Sequence, residues 1–161
     1  MNALLKPIEN LNLLMDVVPP ETIKNLNETT KLMVSTGFEK ECYNVYSSCR
    51  REWLEGLIKQ LLGLENLTIE DINKISWNDL SDQIRRWTKA SKVALKILFS
   101  GERQLCILVF FGFSTVTDLS FMEVCRGSTN YLLNFGDAVA NGSRSSERLF
   151  ISSRCLKHCV T

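Results

Sequence analysis

Apolar residues recur along this chain at steps of three and four, and nowhere do they alternate strictly between turn signals, so the pattern predicts helices and no strands. The longest two-sided stretch runs from Ser76 to Phe113. There Leu80, Ile84, Trp87, Ser91, Ala94, Leu95 and Leu98 gather on one side at about 100° per residue, with Arg85, Lys89, Lys92 and Lys96 nearly opposite. The spacing predicts one long helix, bent rather than broken at Ser100-Gly101, because the apolar spacing resumes at Leu105.

The elements around it follow from local signals. Pro19-Pro20 ends whatever precedes it, since proline supplies no N–H and pushes its predecessor out of the α region. A helix then begins at Pro20 or Glu21, carries Ile23, Leu26, Thr30 and Met33, and stops at Gly37. A second stripe, Phe38, Cys42, Val45, Cys49, Trp53, Leu57 and Leu61, ends at Gly63. So short a turn between two helices makes them an antiparallel hairpin. Thr68 with Asp71 opens a short helix bearing Ile69, Ile72 and Ile75, and Ser76 with Asp79 repeats the device for the long one. Thr115 or Thr117 caps a last helix with Phe121, Cys125, Ser128, Leu132, Phe135 and Val139 inward, ended by Asn141-Gly142-Ser143. The expected fold class is all-α, built of consecutive antiparallel helical hairpins.

Composition narrows the function classes. With 19 basic and 18 acidic side chains in 161 residues, no overall field favours nucleic acid, and any basic surface is local. Glu9 and Asp16 interrupt what would be the apolar part of a signal peptide, so the expectation is a cytosolic chain whose three glycosylation sequons are idle. The apolar run Leu105–Phe113 is too short for the ~20 residues of a membrane-spanning helix. Cys42, Cys49, Cys106 and Cys125 are expected to be buried and reduced, and Trp53, Trp77 and Trp87 to be core.

Catalytic chemistry finds no support. There is no phosphate-binding glycine loop, nucleophile elbow or paired-histidine motif, and the one histidine, His158, lies in a tail without periodicity. Cys155, His158 and Cys159 supply three ligands where zinc takes four, at a spacing that is not a finger or knuckle. No catalytic residue, cofactor or metal is expected. The candidate surface is the row Arg85, Lys89, Lys92 and Lys96, with Arg86 and Arg103 nearby, as a contact for an anionic surface. Each cation near an anionic membrane is worth ~1 kcal/mol. A solvated helix face is the plain alternative.

Several longer blocks carry a resemblance: KEC, VYSSCRRE, SFMEVCRG, LLNFGDA and RLF, co-linear from about Pro19 to Phe150. In these the chain resembles the seventy-kilodalton subunit of the exocyst vesicle-tethering complex, most nearly the B-type paralogues of plants. The resemblance implies part of a rod of stacked helical hairpins, without catalysis. It also implies a cytoplasmic protein, peripheral at the plasma membrane, which docks secretory vesicles through other exocyst subunits, small GTPases and phosphoinositides, with links to autophagy and immunity. The family's main lipid-binding patch lies near the C-terminus of the full-length protein, which this chain does not reach, so no lipid-site residue is carried over.

The division expected is an irregular or frayed segment 1–18, a partial helical domain 19–150 and an aberrant tail 151–161. Ser146 stands where the family pattern has proline, which removes a helix-start signal while leaving Ser145 to cap. After Phe150 the family's next helix is replaced by ISSRCLKHCVT, and codon degeneracy permits the family continuation if the frame shifts within the Ile151 codon. The hypothesis is a changed reading frame, checked by sequencing the transcript across Phe150; an uninterrupted frame contradicts it. The alternative functions are a non-functional or dominant-negative truncated product, or a helical scaffold with an anionic-lipid-binding face.

Overall fold

The computed structural model describes residues 18–63 and 68–142. Among them are six α-helices and no strand: α1 Pro20–Ser35, α2 Glu39–Leu62, α3 Ile69–Lys74, α4 Trp77–Val93, α5 Phe99–Val109 and α6 Ser114–Gly142. A π-helical turn, Ala94–Leu98, joins α4 to α5. The expectations for residues 1–17, for the tail beyond Gly142 with Ser145, Ser146, Cys155, His158 and Cys159, and for Asn66-Leu67 lie outside the described residues.

Local chemistry places the helix ends. Gly37, at φ 90°, lets the chain reverse after α1, and its N–H bonds Val34 O at 3.2 Å while the Phe38 N–H bonds Met33 O at 2.8 Å. This double closure of the last carbonyls needs a residue in the left-handed region, where glycine carries no penalty. At α3, Thr68 Oγ1 accepts from the Asp71 N–H at 3.2 Å and Asp71 Oδ2 accepts from the Thr68 N–H at 2.9 Å, the reciprocal capping box expected there. Ser76 caps α4 without the reciprocal backbone bond: its Oγ accepts from the Asp79 N–H at 3.2 Å and its hydroxyl donates to Asp79 Oδ2 at 2.6 Å.

Side-chain pairs define how the helices run. Tyr46 Oη lies 3.8 Å from Cys106 Sγ and Arg50 bonds Glu102, so α2 and α5 are antiparallel. Arg103 pairs with Asp118 at 2.9 Å across the turn around Gly112, which makes α5 and α6 a hairpin. Arg51 bonds Glu123, and the same 72-residue offset separates Lys59 from the Tyr131 ring above which it sits. A constant offset means that α2 and α6, the two longest helices, lie parallel, as two stacked hairpins require.

The core has two parts. The larger joins Leu54, Ile58 and Leu62 of α2 with Leu80, Ile84 and Trp87 of α4 and with Val124, Leu132 and Phe135 of α6. A smaller one gathers Leu105, Val109, Phe110 and Val116, with Ile23 and Tyr43 packed on it, and Tyr46 touches both.

Several expectations are corrected. The irregularity lies before the bend expected at Ser100-Gly101: the Phe99 N–H bonds Ala94 O, the π-turn falls at Ala94–Leu98, and Gly101 is buried inside α5. The extra residue rotates Leu95 out of the core, to 48 % exposure. The helix ends at Val109 rather than Phe113, and α6 starts at Ser114. In α2 the inward row is Ser47, Leu54, Ile58 and Leu62, whereas Phe38, Val45 and Cys49 are exposed. That helix meets α1, α4, α5 and α6 on different sides along its length, so no single straight stripe describes its buried surface. Leu26 and Trp77 are also exposed, and Cys42 is half-buried.

A basic row on the long helix

The candidate surface is built by α4 and the π-turn. Burial of Leu80, Ile84, Trp87, Ser91, Ala94 and Leu98 fixes the inward side of this helix, and the Trp87 Nε1–H locks it by donating to Leu132 O at 2.8 Å. Arg85, Lys89 and Lys96 are therefore exposed, with Lys92 half-buried between them. From Arg85 to Lys96 the row runs about 16 Å along the helix, at 1.5 Å per residue. All four sequence-chosen cations share this face. Arg86 is exposed as well, and Arg103 lies farther along, tied to Asp118 and stacked 5.1 Å from the Phe121 ring.

Few anions answer this charge. Arg85 Nη1 lies 3.6 Å from Asp82 Oδ1, an exposed pair one turn apart, worth ~0.2–1 kcal/mol at most. Lys89, Lys92 and Lys96 make no ion pair among the described residues. Such a row can attract and orient an anionic partner.

The most constrained charges lie elsewhere and escaped sequence reasoning. Glu102 is fully buried and takes two hydrogen bonds from Arg50, one from Nε at 3.1 Å. Burial works against the Arg50 cation, but the hydrogen bonds and charge of Glu102 outweigh it and hold the guanidinium above its ordinary pKa. Arg50 also stacks on Trp53, 4.4 Å from the ring centroid. A signal was present: Glu102 continues the apolar row through Leu98 and Leu105, where a lone carboxylate demands a buried cation. Beside the pair, burial pushes the Cys106 thiol up to about 11, and burial likewise raises Tyr46 above its usual range. These side chains together clamp α2 to α5. No group of three metal-ligating side chains occurs among the described residues, and no described helix is long and apolar enough to cross a membrane.

Comparison with known proteins then places the chain. The family profile for the C-terminal part of the Exo70 exocyst complex subunit matches residues 85–158. Exocyst complex component EXO70B1 of Arabidopsis thaliana is 57 % identical over 145 residues, 90 % of this chain. Over most of its length the chain is similar to Exo70 exocyst subunits. EXO70B2 of Arabidopsis is 47 % identical over 147 residues and EXO70A1 36 % over 135, so identity is higher to these B-type relatives than to the A-type one. The chain spans about a quarter of the Exo70 proteins it matches: 23 % of EXO70B1, 24 % of EXO70B2 and 21 % of EXO70A1. The basic row falls inside the profile match, whereas α1 to α3 precede it.

Proposed function

We propose that the chain works as part of an exocyst subunit that tethers secretory vesicles to the plasma membrane, and not as an enzyme. The observation that carries this reading is the 57 % identity to EXO70B1 across 90 % of the chain. The helical stretch 19–150 would supply the contacts: other exocyst subunits first, then small GTPases and membrane phosphoinositides, at the cytoplasmic side of the plasma membrane. Roles in autophagy and immunity belong to the same reading. Within it, Arg85, Lys89, Lys92 and Lys96 form the anionic contact surface, supported by their shared exposed face and by the lack of ion pairs at the three lysines among the described residues.

Imaging tests the location. A fluorescent fusion of the chain should coincide with a tagged exocyst subunit at the cortex of plant cells, above the level of an unrelated helical protein. A uniform cytoplasmic distribution would count against it. Liposome flotation tests the surface, comparing the chain with a variant carrying R85E, K89E, K92E and K96E. Unchanged flotation on phosphoinositide vesicles removes the row from the lipid contact.

A further inference from the structure

We propose that the π-turn converts the basic row into a docking site for an acidic amphipathic helix of a partner protein, with Leu95 as the apolar anchor at its C-terminal end. This rests on the reading of the row as a contact surface and names the partner that fits it. In an uninterrupted α-helix Ser91, Leu95 and Leu98, at steps of four and three, would lie together on the buried side. The extra residue of Ala94–Leu98 leaves Ser91, Ala94 and Leu98 inside and turns Leu95 out, 48 % exposed. Single π-turns are rare in helices and concentrate at functional sites. Here the turn places one large apolar side chain beside Lys92 and Lys96, in a row whose only carboxylate partner among the described residues is Asp82, at the opposite end.

Geometry and charge select the occupant. A partner helix with carboxylates at steps of three and four presents a line of negative charge matching a row about 16 Å long. An apolar residue on that same face can cover Leu95, adding an apolar anchor to the charged contacts of a protein interface. A bilayer fits less well. Membrane-surface helices bury a whole apolar face in the lipid, and the apolar face of this helix is already packed in the core.

The test uses the full chain and a synthetic helical peptide with glutamates at i, i+4, i+7 and i+11 and one leucine on the same face. A peptide of scrambled order and phosphatidylcholine vesicles containing phosphatidylserine are the comparisons. Fluorescence anisotropy should show the patterned peptide bound about tenfold or more tightly than the scrambled one. Leu95→Ala and Leu95→Gln, both surface changes that circular dichroism should show folded, should each weaken it about threefold or more with the salt dependence retained. The triple change K89E, K92E and K96E should abolish it. Equal binding of the two peptides, or full binding by both Leu95 variants, overturns the proposal. Binding to vesicles alone overturns it while sparing the contact-surface reading; binding to neither peptide nor vesicle defeats both.

Discussion

Arg50 and Glu102, 52 residues apart in sequence, meet as a buried ion pair between α2 and α5, with the Arg50 Nε–H donating to Glu102 Oε2 at 3.1 Å. The pair lies beside Tyr46, the residue that touches both parts of the core. Removing one partner leaves the other charge buried and unanswered. Arg50→Met or Glu102→Leu alone should therefore destabilise the fold by ~3–5 kcal/mol, and the double variant should recover most of that loss. Urea unfolding of the four proteins checks this; losses that simply add would show that the two side chains are not coupled.

Trp87 is the second anchor. Its indole donates to Leu132 O at 2.8 Å and its ring lies 5.7 Å from that of Phe135, which binds α4 to α6. Trp87→Phe keeps an aromatic ring but loses the hydrogen bond and some volume, at a cost of ~1–3 kcal/mol. Denaturant midpoints that coincide with the unsubstituted chain would contradict that role.

Alkaline pH should weaken the fold. Burial pushes Cys106 up to about 11 and Cys125 to about 12 from the ordinary 9.0, the value near which both ionise in the unfolded chain. Between those limits the native state holds protons that the unfolded state has lost, so stability falls as pH rises past about 9. The denaturant midpoint should be lower at pH 10 than at pH 7, and an unchanged midpoint would refute the assignment. At pH 8, a thiol reagent followed by peptide mapping should label exposed Cys49 before Cys106 or Cys125.

Acid should loosen the cap of α3. Hydrogen bonds from the Thr68 hydroxyl and N–H hold the Asp71 carboxyl below its ordinary value. A depressed native pKa gives stability that is present above the unfolded value and is lost as pH falls through the native one. An NMR titration should find Asp71 ionising below 3.8, and Thr68→Ala should return it toward that value. No difference between the two proteins would rule out the cap as the cause.

The helix ends at Gly37, Thr68 and Ser76 and the exposure of the basic residues are legible in the sequence because their causes are local. Gly37, Thr68 with Asp71 and Ser76 with Asp79 need only their neighbours, and exposed lysines need only water. Spacing puts Leu95, Val45 and Cys49 on the wrong side for another reason. Periodicity assumes one helical repeat and one buried face, whereas a π-turn changes the first and several neighbouring helices change the second. The parallel course of α2 and α6 depends on elements distant in sequence, and so does the pairing of Arg50 with Glu102. The family is visible through blocks such as SFMEVCRG, which periodicity alone does not explain.

The most direct test of the central claim, that this chain joins the exocyst, is affinity purification of the tagged chain from plant cells with quantitative mass spectrometry of what accompanies it. The account predicts several other exocyst subunits enriched over a control bait of similar size and helicity. Recovery of none above that control would contradict it.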